Sequence, residues 1–397
     1  MSYFYIPKNY SYINPDHFSV YSISSNTNNS RTTIHYYNKK LEKMRKKYAS
    51  IWNLYNEYYF YYRNIMNINN YSNKNKKNDK NDKNDNNSIT KFIALNRSFY
   101  VIWELNNIYN FLEKYKLISN LHCFHFSMCQ TGIIQYLNIK RLSNNDKHNG
   151  IYSEEWRKNH NYLSINDNIV FDEYISYNIL NEDMLMYCSN KYNGHYDIIT
   201  FLSNNEINMI NVTLPCIKEN DLIIMKILYS LIIQKKGGTL IFSINGLIDR
   251  SLMDIFYLLS SCYNKIIITK PLLIKNTDNE KIVICSNYLS NYEPQFLYSL
   301  ANNVLNVIKN KIKKDNNIKI LNIDIPSFFL NKLSEINNIM FQQMVDTTLS
   351  VINLKNVENI KEQLEKLKKR GIQKSLNWCI QNNFDYDKNI MNIMKDF

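Results

Sequence analysis

The chain predicts an α/β fold: a doubly wound, mostly parallel sheet flanked by helices, with helical extensions at both ends. Two observations predict it. From Leu121 to Gln234, apolar segments of strand length alternate with segments of helix length, and such crossovers join parallel strands. From Lys236 to Leu289 the run KGGTLIFSINGLIDRSLMDIFYLLSSCYNKIIITKPLLIKNTDNEKIVICSNYL sets two glycines before an apolar strand. An amphipathic helix follows, then a strand ending in Lys270-Pro271, and a polar loop closed by Glu280 before a last strand. That loop has about ten residues, too short for a helical crossover, so its two strands should pair antiparallel.

The elements follow in order. Residues 1–33 are rich in Ser, Asn and Tyr without a period and read as irregular. From His35 to about Ile68, Leu41, Met44, Tyr48, Ile51, Trp52 and Tyr55 recur at three- and four-residue spacing, the signature of an amphipathic helix. Asn69 to Asn87, NNYSNKNKKNDKNDKNDNN, is a polar low-complexity repeat that cannot bury enough surface to order itself. A second helix is expected over Ile89–Tyr115, with Phe92, Leu95, Phe99, Ile102, Leu105, Ile108, Tyr109 and Leu112 along one face. Leu121–Met128 and Tyr196–Leu202 read as strands, with helices at Gly132–Asn138 and Asp221–Gln234 behind them. Beyond Ser290 the chain reads as helical over 297–312, 328–351 and 357–370. Glu362 and Glu365 in the last of these stand four residues before Lys366 and Lys369. The predicted organisation is therefore an N-terminal extension (1–68), a disordered loop (69–88), an α/β domain (89–290) and a C-terminal helical extension (291–397).

Composition narrows the function classes. With 397 residues and 45% hydrophobic content the chain can bury a substantial core. No run of about 18 apolar residues occurs and the N-terminus lacks a basic-then-apolar leader, so a soluble, cytoplasmic protein with no membrane contact is expected. Seven scattered cysteines form no C-x-x-C pair, which favours reduced, buried thiols. His122 and His125 lie three residues apart on a strand, pointing to opposite faces, so no metal site is expected. A formal charge of +13 favours a polyanionic partner such as RNA, although 32 tyrosines against seven glycines also mark a compositional drift. Lys39, Lys40, Lys43, Arg45, Lys46 and Lys47 surround more than one face of their helix, which a solvated surface explains as readily as a nucleic-acid contact.

The order Gly237-Gly238, helix, Lys270-Pro271, Glu280 resembles the C-terminal half of the FtsJ-type RNA ribose 2′-O-methyltransferases. It is most similar to the mRNA cap methyltransferases of eukaryotes and of large cytoplasmic DNA viruses. The likeness runs from Ile89 to Leu289, about half the chain. It implies a Rossmann-like methyltransferase sheet and S-adenosyl-L-methionine as cofactor. It also implies a Lys-Asp-Lys-Glu tetrad in which a tuned lysine activates the ribose hydroxyl. By the same resemblance the first lysine falls on Val101, the aspartate on Leu202 or Ser203, and the second lysine on Ser243; Glu280 is the one member kept. The cofactor turn matches Ser127-Met128-Cys129-Gln130-Thr131-Gly132-Ile133, which retains Ser127 and Gly132 but neither the acidic residue nor the proline. The family's RNA-holding Ser-Arg becomes Ile274-Lys275, leaving Lys270 and Lys275 as the RNA-contact candidates.

Three functions remain open at this point. The first is a degenerate family member, viral in type, that acts as an RNA- or complex-binding subunit in host cytoplasm or virion. The second is an active RNA 2′-O-methyltransferase in which another lysine, such as Lys235 or Lys236, reaches the site. The third is a purely structural virion or scaffold protein, because fold alone does not guarantee function.

Overall fold

The computed structural model describes residues 2–23, 40–53, 67–68, 89–90, 92–126, 131–141, 145–150, 169–170, 172, 175, 178–202, 216–245, 248–311, 316–356 and 359–387. The low-complexity run 69–87, and Ser127 with the rest of the turn to Gln130, lie outside these. The strands are β1 Ser2–Tyr5, β2 Phe18–Ile23, β3 Asn67–Ile68, β4 Ile93–Ala94, β5 His122–His125, β6 Lys147–Gly150, β7 Tyr196–Phe201, β8 Gln234–Ile244, β9 Tyr263–Lys270, β10 Lys281–Tyr288 and β11 Asn317–Leu321. The helices are α1 (40–53, with a turn at Tyr48), α2 Arg97–Tyr109, α3 Thr131–Lys140, α4 Glu182–Lys191, α5 Glu219–Ile233, α6 Arg250–Cys262, α7 Pro294–Lys309, α8 Ser327–Asn353 and α9 Ile360–Gln381.

The main sheet has seven strands in the order β1-β9-β10-β8-β7-β5-β6. Strands β6, β5, β7 and β8 are parallel, whereas β10 lies antiparallel between β8 and β9. This is a Rossmann-like sheet, parallel except for β10 and the edge strand β1, and the alternation and the short 271–280 loop predict all of it but β1. Inserting β10 between its neighbours is what keeps β8 and β9 parallel across the α6 crossover.

Helices cover both faces, each over its own apolar core. One face packs Phe124, Phe201, Phe242, Ile268 and Val283 against α5 and α6. Helix α5 is buried almost all round: of its 15 residues only the first two have appreciable exposure, as expected of a helix sandwiched between sheet and outer helices. The other face packs Cys123, Ile198, Ile241, Ile267, Ile282 and Ile284 under α2, α3 and the end of α9. The Trp378 indole of α9 donates to Glu104 Oε2 of α2 at 2.9 Å, and Trp103 Nε1 donates to the Asn382 carbonyl at 3.0 Å. The C-terminal helix thus completes this face.

Several expectations change in detail. The 1–33 region carries two strands: β1 pairs antiparallel with β9, and β2 pairs with β11, which interrupts the C-terminal helical region. Neither strand shows a strong sequence period, because β1 takes its stability from joining an existing edge. The second edge of β11 is closed by α6: Ser251 Oγ accepts from Ile318 N at 2.9 Å, and Asp254 Oδ2 accepts from Ile320 N and Leu321 N. The helix expected over Ile89–Tyr115 begins only at Arg97, behind the Asn96 cap, and stops at Asn110, whose φ of 49° is left-handed. Residues 93–94 instead make a short parallel bridge with β3. Of the lysine-rich helix, 40–53 is described, and it docks through Arg45, whose guanidinium donates to the Thr277 carbonyl and lies 5.1 Å from the Trp52 ring.

Candidate functional site

Ligands of open α/β sheets bind outside the carboxyl ends of the strands where the order reverses. Here that point lies between β5 and β7, beside Phe126 and Leu202. A row of register partners crosses the sheet next to it: Tyr3 opposite Thr269, Thr269 opposite Ile282, and Ile282 opposite Ser243. Partners in register project to one face, so this row lies on the face that α2 packs against, with Ile282 and Val101 in its apolar cluster and Tyr3 exposed beyond it.

Three of the positions expected for the tetrad are sealed, and Ser203, the alternative for the aspartate, lies outside the described residues. Val101 is 2% exposed, Leu202 3% and Ser243 0%. Val101 and Leu202 belong to the same apolar cluster as Ile241 and Ile282. Glu280 stands at the mouth of β10, its carboxylate ion-paired with Arg97 in the first turn of α2. Sequence reasoning missed Arg97. It stands four residues before Val101, one helical turn away, and that spacing was the available signal.

Lys270 is at the same end of the sheet as Glu280 and is buried. Its ammonium donates to the carbonyls of Asn276 and Asp278 and so closes the loop between β9 and β10. Burial lowers its pKa to about 8, against the opposing pull of Asp278 and Glu280. Lys281, also missed, is 1% exposed and lowered to about 7 by burial and then by the Lys270 charge. Lys275 is half-buried in the same loop. Glu104 fixes the start of that loop, its Oε1 accepting from Leu272 N at 2.8 Å, and burial raises its pKa.

Lys235 and Lys236 do not approach this end. Lys235 lies at the opposite, amino edge of the sheet, 3.1 Å from Asp197 Oδ1. Gln234 stands opposite Tyr196 and Phe242 opposite Phe201, five residues of β7 further on, so roughly 17 Å of strand separates the two ends. Asp197 is 4% exposed and also accepts from His122 N at 3.1 Å. The paired glycines serve that edge: Gly237 has φ +82°, and a Cβ on Gly238 would sit 2.1 Å from Gln234 Nε2 and 2.9 Å from the Asp197 carbonyl.

The histidines separate as strand parity requires. His122 meets His195 at the amino edge, 3.0 Å between ring nitrogens, while His125 turns into the sheet layer. There His125 Nδ1 is 2.8 Å from Thr200 Oγ1, its Nε2 is 3.1 Å from His148 Nδ1, and His148 Nε2 is 3.3 Å from Asn138 Oδ1. With Asn138 Oδ1 accepting, one proton order satisfies the chain: Thr200 to His125, His125 to His148, His148 to Asn138. Burial keeps both rings neutral, lowering His148 to about 4 and His125 well below its ordinary value. No group of three or more His, Cys, Asp or Glu suited to a metal occurs among the described residues. No helix among them is long and apolar enough to cross a membrane.

The fit of S-adenosylmethionine can be tested at Gly132. In a cofactor turn the space of the missing side chain faces the ligand. Here a Cβ would meet Asn96 Oδ1 at 2.2 Å, Ser98 Oγ at 2.7 Å and Phe99 N at 2.7 Å. Asn96 also donates to Thr131 Oγ1 at 2.7 Å. The glycine admits the cap of α2 against α3. Beside Gly132, therefore, the space is filled by protein, and no chemical step follows from the described residues, which do not include the rest of the turn, 127–130.

Comparison with known proteins adds shape similarity alone. No family model matches the chain, and no curated protein matches it. Among solved structures it is similar to a ribosomal RNA methyltransferase from Plasmodium falciparum, at 18% identity, TM-score 0.33, covering 49% of this chain and 98% of that one. A class I S-adenosylmethionine-dependent methyltransferase from Listeria monocytogenes gives 13% and 0.30, covering 53% and 70%. Human methyltransferase-like protein 13, in complex with SAH, gives 13% and 0.28, covering 53% and 90%. At such scores the fold assignment rests on the strand order and the reversed β10.

Proposed function

We propose that the chain is an FtsJ-like cap 2′-O-methyltransferase relative that has lost catalysis and serves as an RNA- or complex-binding subunit. The filling of the tetrad positions carries this reading. Val101, Leu202 and Ser243 are built into an apolar layer where ribose activation needs accessible charge, and Glu280 is neutralised by Arg97. The occupied space beside Gly132 supports weak or absent cofactor binding. A net charge of +13 supports a polyanionic partner.

Calorimetric titration with S-adenosylhomocysteine, and methyl transfer from S-adenosylmethionine to capped and uncapped RNA, test the reading. No heat of binding and no transfer above background are expected. Saturation at 100 times a dissociation constant would raise stability by about 2.7 kcal/mol, so thermal unfolding with millimolar cofactor is a second readout. Robust transfer abolished by Glu280→Ala would overturn the proposal in favour of an active enzyme.

A further inference from the structure

Strand β1 lies outside the part of the sheet that α2 covers. Its Tyr3 and Tyr5 alternate with buried-side Phe4 and are 55% and 49% exposed as residues, with ring centroids 5.9 Å apart. In register they stand opposite Thr269 and Ile267, on the α2 face. Helix α2 ends beside them: the Tyr109 hydroxyl donates to Thr269 Oγ1 at 3.0 Å, and Tyr109 is within electrostatic reach of both tyrosines. Exposed Lys265 holds its ammonium 5.0 Å from the Tyr5 ring centroid. No carboxylate occurs from residue 1 to Asn14 or from Ile255 to Thr277, the segments that carry β1 and β9, whereas both carry lysines; α8, which carries Glu335 and Asp346, meets β1 through Gln343 at Ser2 and Lys332 at the Phe4 ring.

In a tyrosine-rich chain a single exposed ring means little. Three rings gathered at one sheet edge, one fixed by a hydroxyl bond and another under an ammonium, with Tyr3, Tyr5 and Lys265 in segments without acidic residues and buried Glu104 the acid on the helix of Tyr109, are the combination that holds unpaired bases by stacking and their phosphates by charge. We propose that Tyr3, Tyr5 and Tyr109, flanked by Lys265, form a stacking platform for single-stranded RNA. The platform rests on the RNA-binding reading above and gives it a surface beside the Lys270–Glu280 end of the sheet, where Ser2 stands opposite Lys270. Sequence recognition is not built in, since every base offers a π-face.

Fluorescence anisotropy of the full chain with a labelled 12-nucleotide oligouridylate tests it. Tyr3→Ala with Tyr5→Ala should weaken binding at least about tenfold, while Tyr3→Phe with Tyr5→Phe should retain it, because stacking needs the ring. Lys265→Ala should reduce the slope of log affinity against log salt by about 1. Both tyrosines are exposed, and unfolding curves of each variant check that it folds. Wild-type binding unchanged by the double alanine variant would overturn the platform and leave the RNA reading standing. No binding by the wild type would overturn both. Equal affinity for an abasic oligomer would overturn stacking as the mode. A dimer in sedimentation equilibrium that the alanine variant dissociates would show the edge covering a second copy of the chain instead.

Discussion

Arg97 and Glu280 are 183 residues apart in sequence and form an ion pair that ties the first turn of α2 to the mouth of β10. Their side chains are 29% and 11% exposed, so solvent screens the pair only in part. A double-mutant cycle with Arg97→Ala and Glu280→Ala should give a coupling of about 1 kcal/mol. Each single change should cost stability in the absence of any ligand. A coupling indistinguishable from zero by urea unfolding would remove the structural role assigned to Glu280.

Lys281 predicts a second effect. Its folded pKa of about 7 lies below the ordinary lysine value near 10.4, so above pH 7 the unfolded chain binds more protons and stability rises with pH. The penalty of its burial is complete below about pH 7 and relieved above it. Buried thiols such as Cys123 and Cys285 act oppositely near pH 8.5 and beyond, so the informative quantity is a difference between proteins. Lys281→Met should be more stable than wild type by on the order of 2 kcal/mol at pH 7, a gap that narrows by pH 9. A gap that does not change with pH would refute it.

The His125–His148 pair predicts acid lability. Both folded pKa values lie below the unfolded value near 6.5, so the contribution is complete above pH 6.5 and lost as pH falls towards 4. Urea midpoints should drop between pH 7 and 5. The drop should be smaller in His148→Gln, which keeps a polar partner for His125 but cannot gain the proton. Identical pH dependence in the two proteins would count against the pair.

Gly132→Ala should destabilise the ligand-free protein by about 1–3 kcal/mol, the usual cost of overpacking. The added Cβ meets the Asn96 cap and the backbone of Phe99, groups that cannot both withdraw without opening the α2–α3 contact. Hydrogen exchange at the α2 N-terminus should rise in step. A variant of native stability would mean that the space beside Gly132 is available to a ligand after all.

Much of the architecture was legible in the sequence, because periodicity and loop length act locally. Apolar runs such as Tyr196–Phe201 specify strands whatever their neighbours, and the short loop between Lys270 and Glu280 forces antiparallel pairing at one end of the sheet. The uncharged residue types at Val101, Leu202 and Ser243 were equally legible. The chain alone could not reveal what surrounds them. The Arg97–Glu280 pair, the sealed layer under α2, the α2 cap filling the space beside Gly132, and the alignment of β1 beside β9 all join residues distant in sequence. Such contacts depend on how helices seat on the sheet, a collective packing outcome that no local pattern encodes. The same limit explains Lys235: its residue type suggested a catalytic substitute, but its place at the start of an 11-residue strand put it at the opposite edge.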